Sequence, residues 1–170
     1  MTTLEVTLQY LPHDDVFLQG DRSVLSSFVR LVEAAIGSPD RCVQSTVGEA
    51  HVGVLCVTNA NVLQELRQPA TGVTQSGYPP RRFAEMVSSR ALPPRSLVSR
   101  LLQILLMQKT PRETVHFDRD ESELWVIGTE YGLRRVAATV RHAISSGRAE
   151  AELSDCGQEY YILHVTTLTA

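Results

Sequence analysis

The chain is 170 residues long, about one domain's worth, with 43% hydrophobic and 21% charged residues, the balance of an ordinary globular protein. Ten Gly and eight Pro are too few for a collagenous or low-complexity chain, and no apolar run approaches the ~18–20 residues of a membrane span. The formal net charge of −3 conceals a basic middle: residues 81–112 carry seven bases and one acid, against eight acids to four bases in residues 1–80 and ten to five in residues 113–170.

Leu4, Val6, Leu8 and Tyr10 alternate with polar residues, the period of a half-buried strand. Pro12-His13-Asp14-Asp15 is turn chemistry, and Val16-Phe17-Leu18 starts a second strand. Asp21 is placed to cap a helix whose buried face is Val24, Leu25, Phe28, Leu31, Val32, Ala35 and Ile36. Gly37 and Pro39 stop it. A weak strand near Arg41–Thr46 and an apolar one at His51–Thr58 follow, so the first third reads β-β-α-β-β.

The last third reads the same way. Val115 and Phe117 mark one strand, and Leu124–Ile127 the next. Thr129 caps a helix carrying Leu133, Val136, Ala137, Val140 and Ile144, and Gly147 ends it. Two strands, Arg148–Leu153 and Gln158–Leu168, close the chain. With an offset of 108 the two thirds align without a gap from Val16 to Thr58: Gly20 on Gly128, Leu25 on Leu133, Val32 on Val140, Leu55 on Leu163, Val57 on Val165, Thr58 on Thr166. An internal duplication follows from this match. The expected fold is α+β: two ββαββ repeats about a pseudo-twofold, residues 1–58 and 113–170, with antiparallel sheets backed by helices. A helical insertion, residues 59–112, lies between them.

Candidate chemistry is thin. Cys42, Cys56 and Cys156 are widely spaced thiols with no metal-ligand spacing, the pattern of a reducing compartment. The N-terminus MTTLEVTLQYL lacks the basic start and apolar stretch of a signal peptide, so cytoplasm is the expected location. His116, His164 and Cys156 form no triad with an orienting group. Gly20-Asp21 and Gly128-Thr129 open helices without the further glycines of a phosphate-binding loop. No catalytic residue, metal or cofactor is expected. Two surfaces stand out for binding. One is acidic and recurs in the corresponding turn of each repeat: Asp14 and Asp15 in the first, Asp118, Asp120, Glu121 and Glu123 in the second. The other is basic: Arg81, Arg82, Arg90, Arg95 and Arg100, the alternative surface, for nucleic acid.

The stretch Glu123–Leu168, ELWVIGTEYGLRRVAATVRHAISSGRAEAEL followed by YYILHV, resembles the small immunity proteins of bacterial polymorphic toxin systems. A strand runs through G-x-x-x-G-L into a helix and two closing strands, and Gly128, Gly132 and Leu133 carry the resemblance. The first repeat departs from it, with Val24 where Gly132 stands. The resemblance covers about a quarter of the chain. It implies a non-enzymatic protein that neutralises a cognate toxin, cationic in the reading favoured by the acidic turns, by direct binding.

Overall fold

The computed structural model describes residues 3–9, 15–58, 114–120, 123–154 and 160–168. The helical insertion expected at 59–112 lies outside the described residues, as do Asp14, Glu121 and Cys156.

The strands are β1 (Glu5–Gln9), β2 (Asp15–Gly20), β3 (Cys42–Val47), β4 (Ala50–Val57), β5 (Val115–Asp120), β6 (Glu123–Thr129), β7 (Arg148–Ser154) and β8 (Tyr160–Thr167). Helix α1 spans Arg22–Gly37 and α2 spans Glu130–Ser146. Both helices start as their caps dictate. The Asp21 carboxylate accepts the backbone N–H of Ser23 and Val24 at 2.8 and 2.9 Å, and the Thr129 hydroxyl accepts that of Gly132 at 3.1 Å. These bonds satisfy donors that the first helical turn leaves unpaired. At the other end of α2, Gly147 has φ +90°, which glycine adopts without the steric cost other residues meet.

The chain is α+β, with two four-stranded sheets ordered β1-β2-β8-β7 and β3-β4-β6-β5. Each sheet takes one hairpin from each half of the chain, so neither half builds a sheet alone. Their central pairs, β2 with β8 and β4 with β6, are parallel. The expectation of antiparallel sheets is therefore corrected: the sheets are mixed. Only the hairpins are antiparallel, because a hairpin reverses the chain whereas the central strands meet from distant parts of it.

The register of 108 holds from β2 and β6 through the helices and fails in the strands that follow them. The buried residues of α1 are Val24, Leu25, Phe28, Val29, Leu31, Val32 and Ala35, and those of α2 are Gly132, Leu133, Val136, Ala137, Thr139, Val140 and Ala143. Every one of these positions corresponds at 108. In the sheets, Val16 pairs with Leu163 while Leu124 pairs with Val52. Leu163 is thus level with Val52, not with Leu55, and the matches of Val57 with Val165 and Thr58 with Thr166 fall with it. The connections explain the slip. Four residues separate α1 from β3 and one separates α2 from β7, whereas Gly48-Glu49 joins β3 to β4 and residues 155–159 join β7 to β8.

One core fills the space between the sheets and the two helices. Helix α1 packs on β3 and β4, α2 on β7 and β8, and the helices on each other. Leu18, Leu25, Phe28, Val54, Val126, Leu133, Leu163 and Val165 sit at its centre, all at most 1% exposed. Strand β5 joins the sheets at one corner. Thr114 bridges to Ser154, their hydroxyls 3.2 Å apart, and Tyr161 donates to the Val115 carbonyl at 2.7 Å while its ring meets Phe117 edge-on. Gly128 lies beside that corner. A Cβ there would come within 3.0 Å of the Thr114 carbonyl and the Val115 side chain, so the glycine permits the close approach.

Candidate functional site

Because side chains alternate across a strand and Cα partners share a face, the pairing registers assign each sheet an outer face turned away from the core. The two outer faces are built alike. On the first sheet Phe17 stands beside His164, and on the second Trp125 stands beside Gly53. In each, a β-strand that feeds a helix sets an aromatic side chain against the neighbouring parallel strand.

The two pairs pack differently. Phe17 and the His164 imidazole stack, with centroids 4.6 Å apart and planes 7° from parallel. Trp125 lies across Gly53 so closely that a Cβ on the glycine would sit 2.3 Å from the indole ring. Its indole N–H donates to Glu123 at 3.2 Å.

The faces also differ in exposure. On the second sheet Leu55, Val57, Trp125 and Ile127 are at most 3% exposed. On the first sheet Tyr160 and Ile162 are 59% and 40% exposed, beside the Phe17–His164 stack. Carboxylates surround them. Glu150 is 3.1 Å from His164 Nδ1 and Asp15 is 3.7 Å from Nε2, and Glu152 is the Cα partner of Ile162. Asp15, Glu150, Glu152, Tyr160 and Ile162 line an open cleft of about 500 Å³ together with Arg135 of α2, Ala151 and Tyr161. An apolar and aromatic centre with a charged margin is the composition of a protein-binding surface.

The described acidic residues singled out from the sequence fall in two groups, Asp15 on the first sheet and Asp118, Asp120 and Glu123 on the β5–β6 hairpin of the second. Asp15 belongs to the first sheet and accepts the backbone N–H of Ile162 at 3.0 Å, tying β2 to β8 rather than standing free in a turn. Asp118 and Glu123 belong to the outer face of the second sheet, on either side of Trp125, and the backbone of Asp120 pairs with Glu123. Asp15 is therefore not gathered with Asp118, Asp120 and Glu123 into one patch. Arg81, Arg82, Arg90, Arg95 and Arg100 lie outside the described residues. The residues that sequence reasoning passed over are Phe17, Tyr160, Ile162, Glu150 and Glu152. Their signal was the alternation in Tyr160-Tyr161-Ile162-Leu163, where every second large apolar residue has no place in the core.

His116 and His164 stand on the outer faces of different sheets and form no pair. His164 is level with Gly53, not with Cys56 as the ungapped alignment had it. Cys56 points into the core, and its thiol is pushed up to about 11, first by burial and then by the nearby Glu130 and Asp40 carboxylates. A thiol so held is protonated at neutral pH and a poor nucleophile. The capped start of α1 is occupied by Asp21's own carboxylate, which the Val24 N–H and Ser23 hydroxyl hold below the usual carboxylate range. Among the described residues, no group of three or more His, Cys, Asp or Glu is arranged to hold a metal ion, and no helix is long and apolar enough to cross a membrane.

No protein-family model, curated protein or solved structure matches the chain. The G-x-x-x-G-L stretch from Gly128 to Leu133 serves the fold: Gly128 clears the β5 corner, Gly132 donates to the Thr129 cap, and Leu133 is fully buried.

Proposed function

We propose that the chain acts by binding another protein, and that its partner is a bacterial toxin neutralised in the cytoplasm by occlusion. The observation that carries the binding surface is the open outer face of the first sheet. Tyr160 and Ile162 project from a paired strand beside the Phe17–His164 stack, and Asp15, Glu150 and Glu152 surround them. Aromatic and aliphatic anchors on a rigid element supply affinity at low ordering cost, and carboxylates around them steer a cationic partner into register. Toxic nucleases expose cationic substrate clefts, which such a surface fills. The resemblance of Glu123–Leu168 to immunity proteins supplies the biological role.

The two halves of the chain are, on this reading, copies of one ββαββ unit. The equivalence of all seven buried helix positions and of the Phe17 and Trp125 sites supports it. After duplication one outer face kept an exposed aromatic surface and the other closed.

The test is co-expression with each toxin domain encoded beside this chain's gene. The reading expects one of them to arrest growth alone, growth to resume with the wild-type chain, and Tyr160→Ala with Ile162→Ser to abolish the rescue while the variant stays folded. Growth arrest that the chain relieves for none of them contradicts the toxin role. Rescue undiminished in the variant contradicts the surface.

A further inference from the structure

Side chains alternate across the strands of the second sheet, and the centre of that sheet is buried on both faces. Val52, Val54 and Cys56 of β4 and Leu124 and Val126 of β6 point into the core. Leu55, Val57, Trp125 and Ile127 point the other way and lie outside that core, yet none is more than 3% exposed in the single chain. They are neighbours: Leu55 is the Cα partner of Ile127, and Trp125 crosses Gly53 in the next row. Cys42, His116 and Glu123 on the same face each make a further interaction. Every buried apolar side chain of α1 and α2 belongs to the core side, as do Val16, Leu18, Leu163 and Val165 of the first sheet. Neither helix and neither central strand of the first sheet therefore supplies the cover of this outer face.

We propose that the outer face of the second sheet is the docking site of the chain's own basic segment, residues 81–112, with Leu97, Leu101 and Leu105 set against Leu55, Trp125 and Ile127. Burial within the single chain argues first: a second copy or a separate partner is not needed to take these side chains out of water. The path of the chain argues next. It leaves the second sheet at Thr58, beside Val57, and returns at Thr114, whose carbonyl accepts the Thr129 N–H at 3.0 Å. Val57 and Thr129 are Cα partners, so the segment between Thr58 and Thr114 starts and finishes at one end of this face. The links at 10–14 and 155–159 instead join strands of the first sheet. Composition argues last. Leu97, Leu101 and Leu105 recur in steps of four, one stripe of an apolar helix face. Seven bases to one acid in residues 81–112 complement the far end of the face, where Asp118 and Glu123 flank Trp125, and opposite charge favours that approach. The second outer face is then an internal seam, and the first sheet's open face is left to a partner of any kind. The inference does not depend on the toxin reading.

Trp125 is the chain's single tryptophan and reports on this face directly. In the isotope-labelled full chain, nuclear Overhauser contacts are expected between the Trp125 ring or the Ile127 methyls and leucine methyls of residues 97–106. Contacts of both side chains only with residues outside 81–112 overturn the proposal. Leu101→Asp with Leu105→Asp sets two carboxylates against the apolar row. It is expected to move the Trp125 emission to longer wavelength and to raise its quenching by acrylamide severalfold, while hydrogen exchange shows the amides of α1 and α2 still protected. Emission and quenching identical to the wild type's in the folded double variant overturn the docking as well. If the double variant does not fold, the Overhauser contacts of the wild type decide.

Discussion

Glu33 of α1 forms an ion pair with Arg141 of α2, and the two residues hold the same position in their helices. Leu25 and Leu133, and Val32 and Val140, correspond in the same way. The ion pair thus marks where two equivalent helices meet side by side. About half of each partner's side chain remains exposed, so the pair contributes little beside the buried leucines.

That ordering is measurable by denaturant unfolding. Glu33→Gln or Arg141→Gln is expected to cost at most about 1 kcal/mol, the range of exposed ion pairs. Leu25→Ala and Leu133→Ala, each at 0% exposure, are expected to cost about 2–5 kcal/mol. A loss from either helix variant matching that of a surface substitution would mean that its helix does not share the core.

Two glycines give opposite expectations. Gly53→Ala places a Cβ 2.3 Å from the Trp125 ring, and relieving the overlap is expected to cost about 1–3 kcal/mol. Gly37→Ala meets nothing within 4 Å at the end of α1 and is expected to stabilise by about 0.4–1 kcal/mol through the unfolded chain. Thermal unfolding of the two variants beside the wild type separates them by sign. The Trp125 fluorescence of Gly53→Ala should shift as well, since the indole must leave its seat.

The Asp21 cap predicts a pH dependence. Its carboxyl is held below the ordinary value of 3.8 by bonds that only the folded helix supplies. Its contribution is therefore complete above that value and is lost as pH falls through the lower folded one. Asp21→Ser keeps an oxygen for the Val24 N–H but removes the charge. It should narrow the stability lost between neutral and acid pH, read from melting temperatures. An acid limb identical to the wild type's would show that the carboxylate does not sense folding.

Cys56 gives the opposite sign at the alkaline end. With its thiol raised from 9.0 to about 11, its contribution is complete below 9.0 and is lost as pH rises toward about 11. Iodoacetamide at mildly alkaline pH should leave Cys56 unmodified in the folded chain and alkylate it in denaturant, as peptide mass mapping would read. Rapid labelling of the native protein at this position would place Cys56 outside the core.

The division between what the sequence disclosed and what it hid follows the range of the interactions. Asp21, Thr129 and Gly147 mark their helices because caps act within a few residues, and the helix faces follow from a local period. The parallel pairing of Val16 with Leu163 was not legible, because strands far apart in the chain leave no local trace of register. The ungapped match of Leu55 with Leu163 was misleading for a related reason: alternating apolar strands resemble one another in several registers, and the connecting turns set the true one. Asp15 and Glu123 read as solvated turn residues, yet they bond the Ile162 N–H and the Trp125 indole. Replacing either removes a bond as well as a charge. Asp118 makes the cleaner probe of charge alone in that turn. The exposed pair Tyr160 and Ile162 was visible in its alternation, but only the sheet order shows them beside Phe17 and His164.

We propose that the open face of the first sheet binds the partner. The most direct measurement is the dissociation constant of the rescued toxin domain for the wild-type chain and for Tyr160→Ala with Ile162→Ser, at two ionic strengths. Binding is expected to weaken about tenfold or more, the effect of losing anchors worth more than about 1 kcal/mol each, with the melting temperature and the salt dependence preserved because Asp15, Glu150 and Glu152 remain. Wild-type affinity in a folded double variant would contradict it.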